Sequence, residues 1–287
     1  MSKDVALALS SGGARGLAHI GAIEELEAQD YRITSIAGCS IGALIGGVYA
    51  AGKLSEFREW MKTVDRKKML ELTDFSLSLN HIVKGNRIIE AIMEFVPDMA
   101  IEDLPIPFCA VATDWKAGRE VILNNGSLFE AIRASISLPS FYEPVQRDDM
   151  VLIDGGVINP IPLNRVKRQK GDILVGIDVS GHDYKSQWEE MHRLTEWQKT
   201  DKSLKAKILD KLIPDNIEFN YFTVLSRTSS LMIRQNSILM AKLTKPDMHI
   251  DIQMSRYGSF DYDKSEKLIA IGRQKTSQTI SKFETAK

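Results

Sequence analysis

The chain is short of features that would place it at once. Its 287 residues contain two cysteines, Cys39 and Cys109. That is too few for a disulfide framework, and their spacing suits no metal; a reducing compartment is compatible with them. No run of about 18 apolar residues occurs, so no transmembrane helix is expected. The start, MSKDVALALSSGG, lacks the basic residues and long apolar stretch of a secretory signal, and a cytoplasmic location is the expectation. Charge of one sign is missing too. Lys and Arg number 37 against 38 Asp and Glu, which removes the basic surplus usual in nucleic-acid binders. No internal repeat or low-complexity tract is present.

What is present is the composition of an ordinary folded domain, 44% hydrophobic and 26% charged. The length allows one large core or two small ones. Residues 4–9 (DVALAL) read as a short buried strand, broken by SSGGARG, and residues 16–28 then show helical apolar spacing. Ile33 to Ala37 reads as a second strand, again followed by a glycine-rich turn and a helix. Strand, glycine turn and helix in repetition predict parallel strands in an α/β sheet. Residues 107–113 and 119–123 pattern as a hairpin around Lys116-Ala117-Gly118. Ser127 with Glu130 reads as a capping box opening a helix through about Ser135. Residues 150–153, 173–179 and 248–254 read as further strands. Residues 183–243 are charged and helical in pattern, and 264–283 form a last helix. The expectation is one α/β domain: a core over 5–180, a helical excursion or lid over 181–247, and a strand and helix over 248–287 that complete it.

Three motifs carry chemistry. The first is GCSIG, Gly38 to Gly42, between a strand and a helix. Small residues on both sides of a serine permit a sharp turn that projects its hydroxyl above the sheet, and the amides opening the following helix favour negative charge. The second is SSGGARG, Ser10 to Gly16, where consecutive glycines allow amides to converge on an anion. It fits neither a Rossmann fingerprint nor a P-loop, because Ser11 stands at the first required glycine and Leu17-Ala18 follow Gly16. An oxyanion loop fits better. Arg15 is available to hold that loop or an acidic headgroup, or to form a surface ion pair. The third is LIDGGVINPIPL, in which Asp154 ends a strand and meets Gly155-Gly156. Acids at the carboxyl edge of a sheet gather at α/β active sites, though Asp-Gly is also a common turn.

GGARG, GCSIG, ASISLPSFYEPV and LIDGGVINPIPL in this order resemble the patatin-like phospholipase family, from about Val5 to Leu163 and weakly through the strand at 173–180. The resemblance implies a three-layer α/β sandwich with a mainly parallel sheet. It implies a Ser–Asp dyad at Ser40 and Asp154, and oxyanion glycines at Gly12 and Gly13, with Ala14, Arg15 and Gly16 in the same loop. The implied activity is hydrolysis of a phospholipid or other lipid ester, without metal or cofactor, and with peripheral membrane contact. No His/Asp/Cys cluster stands at ligand spacing, in agreement. Many members carry glycine where this chain has Ser11, which leaves the outermost oxyanion donor open.

An aspartate is a weak base for a hydroxyl, its ordinary pKa being about 3.9. Burial raises it, and oxyanion amides stabilise charge as it forms. A Ser–His–Asp triad in a general carboxylesterase or thioesterase is the rival. His182, in VSGHDY, is its best base, while His192, His249 and His19 read as structural. A non-catalytic regulatory protein is a third reading. ASISLPSFYEPV, 134–145, is read as a wall of an acyl pocket or a rigid prop for the sheet. Cys39 is read as a small buried hydrophobe pointing away from the nucleophile. Residues 186–213 carry an apolar stripe of Leu204, Ile208 and Leu212 among lysines, which reads as a packing helix or an interfacial one.

Overall fold

The apolar run Val5–Leu9 lies fully buried in the middle of β1 (Lys3–Leu9). A strand buried on both faces is a continuous apolar run rather than an alternating one. Its parity still sorts side chains by size. Val5, Leu7 and Leu9 enter the large core; Ala6 and Ala8 enter a second, smaller cluster with Ile161, Leu163 and Val166. The structure is a computed structural model that describes residues 3–72, 84–139, 141–181, 221–254, 257–258 and 261–286.

After β1 a 3-10 turn (Gly13–Leu17) leads into α1 (Ala18–Ala28), β2 (Tyr31–Cys39) and α2 (Ile41–Ala50). Three short helices follow, α3 (Leu54–Lys62), α4 (Arg66–Leu72) and α5 (Asn86–Met93). Then come β3 (Phe108–Asp114), β4 (Arg119–Leu123), α6 (Leu128–Ser135), β5 (Val145–Arg147), β6 (Met150–Asp154) and β7 (Ile173–Asp178). The long α7 (Tyr221–Thr244), β8 (Met248–Asp251) and α8 (Ser265–Thr285) close the order.

Among the described residues the strands form one sheet in the order β5-β6-β3-β2-β1-β7-β8, with β4 also on β3. The pairs β1–β2, β1–β7, β2–β3 and β7–β8 are parallel. The pairs β3–β4, β3–β6 and β5–β6 are antiparallel. Residues of α1, α2 and α8 share the large core on one face, while Met240 and Ala241 of α7 pack on the small cluster of the other. Helices thus cover both faces of a mostly parallel sheet, the three-layer arrangement the family resemblance implies.

The elements differ from expectation at their ends. β2 extends to Cys39 rather than Ala37, because Gly38 and Cys39 pair with Ala110 and Val111 of β3. β8 stops at Asp251. The helix expected from Gly16 begins at Ala18, after a 3-10 turn. α3, α4, α5 and β5 are elements the sequence reading did not mark. Ser127 caps α6 by accepting from Glu130 N at 3.0 Å, and the other half of the cap is Asp98, whose Oδ1 accepts from Phe129 N. The expected residues 186–213 helix, with His182 and His192, lies outside the described residues.

Candidate active site

Ser40 sits between β2 and α2 with φ 55° and ψ −124°, a left-handed φ that side chains rarely adopt. The glycines on either side explain how the turn fits. A Cβ on Gly38 would lie 2.6 Å from Ala43 Cα, and one on Gly42 would lie 2.7 Å from Ser10 O. Helix and strand therefore approach at backbone contact, and the strained residue is the serine between them. Its carbonyl accepts from Ala43 N and Leu44 N at 2.9 and 3.1 Å, starting α2. Its own amide donates to Ser135 Oγ at 2.9 Å, and that fully buried hydroxyl donates to Val111 O at 2.6 Å. The sequence reading ended α6 near Ser135 without giving it a role. Its one signal in the sequence is a small polar residue inside the ASISLPSFYEPV motif, where α6 ends.

Strand registers bring Asp154 to this serine. β4 pairs with residues 110–114 of β3 and so occupies one edge along them. β2 (to Val111) and β6 (Ala112 to Asp114) must share the other. Since β2 is parallel to β3 and β6 antiparallel, their carboxyl ends run toward each other. Cys39 opposite Val111 and Asp154 opposite Ala112 are where they meet. Ser40 Oγ donates to Asp154 Oδ2 at 2.5 Å. Asp154 Oδ1 accepts from Gly156 N at 2.7 Å and faces Cys39 Sγ at 3.9 Å. Cys39 is buried, as expected, and its thiol faces the carboxylate. This follows from β2 reaching Cys39 in register with β3. Burial pushes the Asp154 carboxyl up to about 6, against the pull of hydrogen bonds from Ser40, Gly156 and Cys39. Gly155 permits the join, because a Cβ there would meet the Val111 carbonyl.

The loop Ser10 to Gly16 is fastened from behind. Ser10 N donates to Ile177 O and Ser11 N to Pro160 O, at 3.1 and 2.8 Å. Val179 N donates to Ser10 Oγ at 2.8 Å, and His19 Nε2 lies 2.9 Å from Ser10 O. His19 is fully buried, and burial holds its pKa down at about 4, so the neutral ring donates to that carbonyl. Arg15 is 4% exposed and its Nε donates to Gly12 O at 3.2 Å. It is therefore buried and tied back to the loop rather than standing at the surface. Gly13 takes a left-handed φ of 59°, while Ser11 is absent from the residues with positive φ and fits the loop without that strain. Gly16 lies against Ile41, and Ala14 is buried beneath the loop.

Gly12, Gly13, Ser40 and Asp154 line one cavity of about 280 Å³. Its far wall is apolar, with Phe57, Trp60 and Ile92 from α3 and α5, and Ile233 from α7. Ile136, Leu138, Phe141 and Tyr142 of the ASISLPSFYEPV stretch stand on the same wall. α7 is held over this cavity by a buried cluster. Arg234 donates to Asp178 Oδ2 at 3.0 Å and to both Asp251 oxygens. Asp178 also accepts from Ser237 Oγ and from Ser180 Oγ and N. His249 belongs to this cluster, with Nε2 3.8 Å from Asp178. Neither it nor His19 is placed beside Ser40. His182 lies outside the described residues. Among the described residues, no group of three or more His, Cys, Asp or Glu is placed to hold a metal ion, and no helix is long and apolar enough to cross a membrane.

The family model described as patatin-like phospholipase matches residues 7–166. An uncharacterized NTE family protein of Mycobacterium tuberculosis is 44% identical over 182 residues, covering 63% of this chain and 51% of that protein. The neuropathy target esterase sws of Drosophila melanogaster is 32% identical over 186 residues, 62% of this chain and 13% of that protein. The chain thus spans about half the length, or less, of the curated relatives it matches. The crystal structure of VipD from Legionella pneumophila aligns with 98% of this chain and 67% of that one, at a TM-score of 0.50 and 13% identity, a likeness of fold.

Proposed function

The chain belongs to the patatin-like phospholipase family, and from that premise we propose that it is a lipid acyl hydrolase working through Ser40 and Asp154. The observation that carries the reading is the 2.5 Å hydrogen bond from Ser40 Oγ to Asp154 Oδ2 at one end of an apolar cavity. The substrate is an ester of a fatty acid, a phospholipid or lysophospholipid, whose acyl chain lies along the apolar wall and whose carbonyl reaches Ser40. Asp154 takes the hydroxyl proton as Ser40 Oγ bonds to the carbonyl carbon. The amides of Gly12 and Gly13 hold the oxyanion, a contribution of about 3–4 kcal/mol per donor in comparable sites. Collapse expels the alcohol, which takes the proton from Asp154 and leaves an acyl-serine. Water, deprotonated by Asp154, then attacks the acyl carbon; fatty acid departs and Ser40 recovers its proton. Burial supports this role, since a carboxylate with pKa about 6 is a better base than an ordinary one and is still ionised at neutral pH.

The test is fatty-acid release from phospholipid, lysophospholipid and short-chain ester substrates by the wild type, Ser40→Ala, Asp154→Asn and His182→Ala. The dyad requires the first two variants to be dead and the third active. A folded but dead His182→Ala puts a histidine triad in its place. A wild type that hydrolyses nothing and does not react with a fluorophosphonate probe makes the protein a non-catalytic binding module.

A further inference from the structure

Five of the eight large hydrophobic side chains exposed among the described residues belong to one helix, α7: Val224, Leu231, Met232, Leu239 and Leu243, at 49, 39, 53, 52 and 78%. At 3.6 residues per turn they fall within about 120° of the helix circumference. Ser237, fully buried against Asp178, is on the opposite side. α7 therefore exposes large apolar side chains on the arc turned away from the sheet. Its inward side is tied down by Arg234 and Ser237 and packs Met240 and Ala241 on the small cluster, while its outward arc sets the five apolar side chains among the exposed polar Thr228, Gln235 and Lys242. Large apolar side chains gathered on one exposed arc mark a surface that something covers.

We propose that this stripe of α7 is a docking surface for an anionic lipid surface. Two observations choose that partner. The first is charge. The 24-residue sequence of α7 contains Arg227, Arg234 and Lys242 and no acidic residue, and Lys245 follows it; Arg227, Lys242 and Lys245 are exposed. A second copy laid on the stripe about a twofold axis would set these cations against their own counterparts. An anionic membrane offers the opposite charge together with an apolar interior. The second is continuity. Met232 is both a member of the exposed stripe and a lining residue of the cavity that holds Ser40. A bilayer touching the stripe therefore lies at the cavity mouth, and an acyl ester passes from one to the other along α7. The choice of lipid as partner rests on the hydrolase reading of Ser40; the stripe does not.

The experiment measures sedimentation of the full chain with vesicles of phosphatidylcholine alone and of phosphatidylcholine with phosphatidylglycerol. Hydrolysis of a water-soluble short-chain ester is followed in parallel. Binding is expected to be stronger on the anionic vesicles and weakened by salt. Leu239→Asp/Leu243→Asp should lose about tenfold or more in vesicle affinity, with short-chain ester hydrolysis within about twofold of wild type. Lys242→Glu, a milder surface change, should lose affinity for anionic vesicles alone. A fluorophore on Leu243→Cys should shift to the blue when vesicles are added. A wild type that binds neither vesicle overturns the proposal, as does unchanged affinity in the double variant. A fluorophore already shielded without vesicles overturns it too, as does a dimer that the double variant converts to monomer, since the chain itself or a second copy then covers the stripe. Ser40→Ala separates the two readings. If it and the wild type bind vesicles alike while neither substrate is hydrolysed by the wild type, docking stands and the hydrolase reading falls. Ester hydrolysis without vesicle binding is the reverse.

Discussion

Ser40 Oγ lies 2.5 Å from Asp154 Oδ2; Asp154 ends β6 and Ser40 directly follows the end of β2, two strands that run toward each other along one edge of β3. In the proposed cycle only the ionised carboxylate accepts the serine proton, and burial places that ionisation at about 6. The rate constant kcat/KM for a soluble ester should therefore rise with pH through about 6 and level above it. The thiol of Cys39 helps to hold the carboxylate down, so Cys39→Ala should move the acid limb to higher pH. A profile flat from about pH 5 to 8 contradicts Asp154 as the base.

The same burial makes Asp154 a liability to the fold. Its native pKa of about 6 is above the ordinary 3.8, so the native state takes up a proton that the unfolded chain, between those values, does not hold. The stabilisation from that proton is complete below about pH 3.8 and is lost as pH rises through about 6. Asp154→Asn should accordingly be more stable than wild type at pH 7.5, by up to about 3 kcal/mol, with the advantage shrinking toward pH 4. Urea unfolding at both pH values decides it. An advantage equal at both attributes the effect to packing instead.

GCSIG marked the turn because its chemistry is local: a strand, a serine between small residues, a helix. Asp154 was legible as an acid leaving a strand, and the order of the motifs linked it to Ser40. The parallel sheet was legible because buried parallel strands are continuous apolar runs. What the sequence did not disclose depends on register. That β2 runs on to Cys39, that it shares an edge of β3 with β6, and that Cys39 faces the carboxylate all follow from which residues pair across strands. The helices α3 and α5 are amphipathic, but at nine and eight residues each is shorter than the stretch over which helical spacing is read. Arg234 joins Asp178 to Asp251 across 56 and 17 residues, a distance no local pattern spans.

Ser135 is the residue that holds the elbow from below. Its hydroxyl receives the Ser40 amide and gives its proton to Val111 O, linking the strained turn to β3. Ser135→Ala removes both of these hydrogen bonds and should cost about 1–3 kcal/mol in stability. It should also lower kcat with little change in KM, because it loosens the nucleophile and leaves the acyl wall in place. Ser135→Thr, which keeps the hydroxyl, should recover part of the rate. Equal losses in both variants would make the site one of packing only.

The tie between α7 and the sheet gives the last prediction. Asp178 is fully buried; burial alone would raise its pKa, but hydrogen bonds from Ser180 and Ser237 and the charge of Arg234 hold it below the ordinary value. A charge buried in this way is tolerated because it is matched. Arg234→Ala strands it and should cost about 3–5 kcal/mol. The double variant Arg234→Met/Asp178→Asn removes both charges and should recover much of that loss. Function should separate the two. α7 lends Ile233 and Met232 to the cavity, so a loosened α7 should raise KM for long-chain esters while short esters, which need little of the apolar wall, keep theirs. If Arg234→Ala changes neither stability nor the chain-length preference, Arg234 does not hold α7 over the cavity.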